Sequence, residues 1–202
     1  MGPVKEEWGV SVQHVVCHTM RDCAAILDAT AIPFLGDGVI APDHGRPWAG
    51  QVGRDPGSLR IGFMDHSPRT EIHPDCAEAT RRTASMLAGL GHDVEQAHPP
   101  ALEQLDELGW AFSVNWGVGA VLSLEFLGGQ LGREVTEDDV EPGTWFLAEL
   151  GRGVSAVDYA KAQGIMGTFR RTMAEWWESG FDLLVTPTTA LPPPPIGELP
   201  PT

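Results

Sequence analysis

Leu59-Arg60-Ile61-Gly62-Phe63-Met64 and His92-Asp93-Val94-Glu95-Gln96, with a helical pattern from Pro74 to Gly91 between them, decide the fold. The first stretch is a short apolar run suited to a buried strand. Pro74 fits the first turn of a helix, Ala77, Thr80, Ala84, Leu87 and Leu90 recur at helical spacing, and Gly91 is a natural stop. The second stretch is a strand closed by Pro99-Pro100. Strand, helix and strand in this order predict a βαβ unit with parallel strands and a right-handed crossover.

Upstream, Val10, Val12, Val15 and Val16 suit a short strand or extended entry. Thr19 and Asp22 then open a helix, with Met20, Ala24, Ile26, Leu27 and Ala31 as its apolar face and Pro33 as its stop. Residues 33–58 are rich in Gly and Pro and predict a long loop. Downstream, Leu102 to Leu131 carries an apolar stripe through Leu105, Leu108, Phe112, Trp116, Ala120 and Leu124, which predicts one or two buried helices. Thr136 to Asp139 is expected to open another helix, running to Gly151. Ser155 with Asp158 caps a long one from Tyr159 to Trp177. Phe181 to Thr186 predicts a third strand, halted by Pro187, and residues 191–202 predict a Pro-rich extended tail. The expectation is therefore a single α/β domain over 1–202, a short mixed or mostly parallel sheet flanked by helices.

Composition narrows the function. The 202 residues carry 28 acidic against 13 basic side chains, a formal charge of −15, which argues against nucleic acid as a partner. No apolar run is expected to reach the roughly 20 residues that span a bilayer, so no membrane is expected either. Cys17, Cys23 and Cys76 are an odd number without paired spacing, which favours free thiols and a cytoplasmic location. Neither G-x-x-x-x-G-K-[ST], G-x-G-x-x-G nor G-x-S-x-G occurs, so no nucleotide cofactor and no α/β-hydrolase nucleophile is signalled.

Reactive side chains gather near the start. Ser11, His14, Cys17 and His18 are candidates for a nucleophile with a base, although neighbours on a strand point to opposite faces. Ser113 and Cys76 are further candidate nucleophiles, and Asp22 is better explained as a helix N-terminal residue. His14, His18 and His73 are the residues a metal-dependent hydrolase would use, but the spacing repeats no paired ligand motif, so no metal is expected. Gly117 and Gly119 inside the apolar stripe point to close helix packing.

Four segments, in order, carry a family resemblance. Val15-Val16-Cys17-His18-Thr19-Met20-Arg21-Asp22-Cys23-Ala24-Ala25-Ile26-Leu27-Asp28-Ala29 resembles the stretch after the catalytic core of amidase signature enzymes. Val52-Gly53-Arg54-Asp55-Pro56-Gly57-Ser58-Leu59-Arg60-Ile61-Gly62 is similar to the family's linker into its next strand, and Pro74 to Val94 to the helix and strand after it. Phe181-Asp182-Leu183-Leu184-Val185-Thr186-Pro187-Thr188 resembles the late strand near the family's active site. The resemblance implies a partial amidase-signature-like fold, the middle-to-C-terminal portion of an amidase, with narrower kinship to aminohexanoate cyclic dimer hydrolases. It implies hydrolysis of C–N bonds in small-molecule amides, and of esters, without a cofactor.

In that family a Ser, a second Ser in a cis peptide bond and a Lys do the chemistry. Lys5 and Lys161 are the only lysines and neither has the family lysine's context, while the Ser-rich signature belongs upstream of these segments. Catalysis by this chain alone would then need a replacement nucleophile, and a non-catalytic binding or oligomerisation module is the alternative. The resemblance places Ser113, Trp116, Thr186, Pro187 and Thr188 along the substrate pocket. An incomplete sheet leaves edges and apolar surface uncovered, which predicts a homo-oligomer or a complex with the fragment it lacks.

Overall fold

A computed structural model of the chain describes residues 14–33, 35, 40 and 45–198, in two compact units, Met1–Gly57 and Ser58–Thr202. Ser11, Val10 and Val12 lie outside the described residues.

In the first unit the helix expected after Thr19 is α1 (Met20–Thr30). The Thr19 hydroxyl accepts from the Asp22 N–H at 3.1 Å, so one of the four unpaired N–H groups of the first turn is satisfied. Asp28 on α1 accepts from the backbone N–H groups of Trp48 (2.6 Å) and Ala49 (2.9 Å), which ties a short 3-10 turn, Ala49–Gln51, to the helix. Val15 and Val16 are irregular and exposed rather than paired in a strand.

The second unit begins with the βαβ unit: β1 (Arg60–Phe63), α2 (Pro74–Gly89) and β2 (Asp93–Glu95), with β1 and β2 parallel. His73 is the N-cap of α2, its ring nitrogen accepting from the Asp75 N–H at 3.2 Å, with Pro74 directly after it. The chain then forms α3 (Leu105–Leu131), α4 (Pro142–Arg152), α5 (Ala156–Glu178) and β3 (Leu183–Val185). β3 pairs with β1, also in parallel, giving the order β2-β1-β3 with Ile61 opposite Val94 on one side and Leu183 on the other. Side chains alternate across β1. Ile61 is fully buried, and the neighbouring Gly62 faces the Trp176 ring of α5, where a Cβ would lie only 2.8 Å from Cζ2. Trp176 stacks on Phe181 at 4.2 Å, and the Arg60 guanidinium covers the other side of Phe181 at 4.0 Å, so α5 and the entry to β3 are fixed to the sheet by aromatic contact.

The apolar stretch is one 27-residue helix, α3, ended by Gly132 in the left-handed conformation at φ 68°. By length and composition it is long and apolar enough to cross a membrane, contrary to the expectation that no such run exists. Its buried residues serve helix packing. Ala111 and Val114 meet Ala162 of α5, and Leu124 meets Ala148 of α4 and Val135. Gly117 of α3 and Gly151 of α4 touch backbone to backbone, as expected for Gly117. Thr136 to Asp139 forms a 3-10 turn, Glu137–Asp139, instead of opening a helix. The residue before a proline disfavours the helical region, so the chain straightens at Val140 and Glu141 and restarts as α4 at Pro142.

Candidate functional site

In a parallel sheet the loops leaving the carboxyl ends of the strands converge, and ligands bind there. In this unit those loops are the segments after β1, β2 and β3. Met64, His66 and Ile72 after β1, Leu102 after β2, and Thr186, Pro187 and Thr188 after β3 line one cavity of about 260 Å3. Backbone hydrogen bonds hold its walls. The Met64 N–H donates to Val185 O at 3.0 Å, and the His73 N–H at the start of α2 donates to Ala190 O at 2.8 Å. A second cavity of about 580 Å3 lies between the Arg69 and Glu103 loops, the first turn of α3 and Ile165, Phe169 and Thr172 of α5.

One cluster of titratable groups sits at this sheet end. His66 Nε2 lies 3.0 Å and His98 Nε2 2.6 Å from the same Glu103 oxygen, and the two rings meet edge to face at 5.1 Å. These bonds, His66 first, hold the Glu103 carboxyl below its ordinary value. Asp65, mostly buried, lies 3.8 Å from the other His66 nitrogen and is itself held by Arg81 Nη1 at 2.8 Å and Gln96 Nε2 at 3.4 Å. Among the described residues this is the trio whose ligand atoms all fall within 4.8 Å of one another. His14, His18 and His73 form no such group.

Of the residues singled out from the sequence, Thr186, Pro187 and Thr188 come together in the smaller cavity. Ser113 and Trp116 do not line it. The Ser113 hydroxyl donates to Gly109 O one turn back along α3 at 2.9 Å, and Trp116 is 56% exposed with Phe112 edge-on at 5.2 Å. Near the chain's start His14 Nε2 lies 3.3 Å from Cys23 Sγ, and the Cys17 thiol donates to Thr19 O at 3.4 Å. Partial burial, then the Cys23 thiol, push the Cys17 thiol up from its ordinary value. A reactive cysteine needs the opposite shift, so this geometry does not prepare Cys17 to attack. His18 is exposed, and Cys76 lies in the first turn of α2.

His66, His98 and Glu103 are not legible as a group in the sequence. His66 and His98 are 32 positions apart in residue number, and only the parallel register of β1 with β2 brings the loops behind them side by side. The single usable signal is position: both come after a predicted strand at the same end.

Similarities to known proteins accompany this geometry. A family model described as Amidase matches residues 4–202. The 6-aminohexanoate-cyclic-dimer hydrolase of Paenarthrobacter ureafaciens is 36% identical over 193 residues, which cover 95% of this chain and 39% of that protein. A solved structure of 6-aminohexanoate cyclic dimer hydrolase superposes with a TM-score of 0.83 at 37% identity, over 89% of this chain and 38% of that one. A bacterial aryl acylamidase of the amidase signature family shares the fold at a TM-score of 0.65 and 16% identity, over 87% of this chain and 36% of its own. This chain thus spans about two fifths of its relatives' length.

Proposed function

Because this chain belongs to the amidase family, we propose that it supplies the pocket-walling part of a hydrolase that cleaves C–N bonds in small-molecule amides, with esters as a further substrate class. The observation that carries this reading is the cavity at the carboxyl end of the β2-β1-β3 sheet, which Thr186, Pro187 and Thr188 line beside Met64, Ile72 and Leu102. A few polar groups in a mostly apolar wall fit an amide on a flexible aliphatic segment. The substrate class is a linear or cyclic amide of modest size, in keeping with what the 6-aminohexanoate-cyclic-dimer hydrolase is named for. Neither Cys76 nor Ser113 lines the cavity, so the role assigned to this chain is holding the substrate. By the family resemblance, bond cleavage falls to a Ser, cis-Ser and Lys outside the segments that carry that resemblance.

The test has two parts. Binding of a cyclic ω-amino-acid amide to the purified chain is followed by NMR, and turnover is assayed on nitrophenyl esters and anilides beside a mock purification. Selective perturbation of Met64, Thr186 and Thr188, weakened by Thr186→Val and Thr188→Val, supports the reading. Absence of binding, or binding indifferent to both replacements, refutes it.

A second reading, a module for assembly with another chain, is favoured by one observation. Trp110, Phe112, Trp116 and Phe126 of α3 are 39–66% exposed, an unusual density of aromatic surface.

A further inference from the structure

From the convergence of two imidazoles and a carboxylate on one point, we propose that His66, His98 and Glu103 form a binding site for a divalent first-row transition ion, Zn2+ in the first instance. The site clasps the loops behind β1 and β2 and shares His66 with the lining of the smaller cavity, but it takes no part in the bond cleavage proposed above. Three features of the geometry argue for it.

First, the donor set is two imidazole nitrogens and one carboxylate oxygen, the hard-to-intermediate set that such ions take, with room left for water or a further ligand. The two Nε2 atoms approach the same oxygen, Oε1 of Glu103, at 3.0 and 2.6 Å as N–H donors, so both rings already aim at one region of space, and an entering ion takes the place of their protons. Bonds of about 2.0–2.2 Å to zinc set tetrahedral ligand atoms roughly 3.3–3.5 Å apart. An entering ion therefore only has to spread the trio slightly, within the 4.8 Å that already bounds it. Glu103, 41% exposed, is free enough to make that adjustment.

Second, an outer-shell carboxylate stands close by, beyond hydrogen-bond distance. A metal-bound histidine is commonly oriented by a carboxylate behind its other ring nitrogen. Asp65 Oδ1 stands 3.8 Å behind His66 Nδ1, and Asp65 is itself fixed by Arg81 and Gln96. Third, there is an entry path. His66 lines the smaller cavity and Glu103 the larger, so the point between them is reachable from solvent on both sides.

The test is equilibrium dialysis of the full 202-residue chain, freed of metal with a chelator, against Zn2+, with metal analysis of the dialysed protein. It is run for the parent chain, His66→Gln, His98→Gln, Glu103→Gln and, as a control, His18→Gln. The expected result is one ion per parent and control chain. Each of the three replacements should weaken binding by at least the roughly 10–100-fold typical of losing even an outer-shell partner.

Co2+ in place of Zn2+ should give the parent chain an intense visible spectrum of four- or five-coordinate metal. Saturating Zn2+ should raise the parent's thermal midpoint, since an ion at a hundred times its Kd multiplies the folded population roughly a hundredfold. The last two readouts need no variant, so a misfolded replacement leaves the proposal exposed to refutation. Uptake equal in all five chains, no uptake, or a Co2+ spectrum like that of the hydrated ion overturns it. None of these readouts involves amide turnover, so the site and the proposed hydrolysis stand or fall separately.

Discussion

A methyl group added at Gly151 would sit 2.1 Å from the carbonyl oxygen of Gly117, inside any permissible contact and against backbone that has no rotamer with which to yield. Gly151→Ala is therefore expected to push α3 and α4 apart and to destabilise the second unit by about 1–3 kcal/mol or more, read as a fall in the urea midpoint. An unchanged midpoint would mean that the two helices do not cross there. Gly164 is the opposite case. Nothing lies within 4 Å of a Cβ built on it, and it sits in the interior of α5, so Gly164→Ala should raise stability by about 0.5–1 kcal/mol. At the α3–α5 contact the controlling residue is polar. Asn115, 1% exposed, donates to Ala111 O at 2.7 Å and accepts from the Gln163 amide. Asn115→Ala leaves Gln163 partly buried and without that acceptor. A loss of about 1–3 kcal/mol is expected in the same assay, largely relieved when Gln163 is replaced by Leu as well. If the double variant is no better than the single one, the packing rather than the unpaired amide controls this contact.

Among the elements, the turn between α3 and α4 carries the clearest pH dependence. Asp139 accepts from Arg133 through both oxygens at 2.7 Å, and from the Thr136 N–H at 2.9 Å and hydroxyl at 3.0 Å. These bonds, Arg133 foremost, hold its carboxyl well below the usual carboxylate range. A carboxyl depressed in the folded state contributes stability that is complete above its unfolded value and is lost as pH falls toward the folded one. The urea-midpoint difference between the parent chain and Asp139→Asn should thus stay constant from neutral pH down to about 5 and shrink below about 4. A difference that grows in acid would contradict the assigned bonds. The same turn shows where sequence reasoning stops. Thr136 and Asp139 do cap, as their spacing suggests, but they cap a 3-10 turn, and the start of the helix that carries Trp145 to Leu147 is set by Pro142, which keeps Glu141 extended. α2, α5 and the three strands were legible because their apolar spacing, caps and stops agree. Of the two forms open to Val15 and Val16, a strand or an extended entry, no strand is formed at these two residues, since β-propensity expresses itself only where a partner strand exists. Of the site, Thr186, Pro187 and Thr188 are pointed to by the family resemblance of the late strand, not by spacing, and they line the smaller cavity. The His66, His98 and Glu103 cluster could not be read from the sequence, since tertiary pairing alone creates it.

Over the whole molecule, two opposed forces bear on self-association. The formal charge of −15 repels one copy from another, and this repulsion weakens as salt shortens the Debye length to about 8 Å at physiological ionic strength. Against it stands the apolar surface of α3, with Trp116 at 56%, Phe126 at 66% and Leu131 at 51% exposed. Burial of such residues depends little on salt at these concentrations, so screening should tip the balance toward association. Light scattering of the purified chain is expected to show a mass above 21.7 kDa that rises from low to moderate sodium chloride. Trp116→Ser and Phe126→Ser together should return it to the monomer value. A mass that falls with salt would place the association in complementary charges instead. A monomer at every salt concentration would mean that the aromatic face of α3 does not drive pairing of this chain with itself, and would leave only a different chain as its partner.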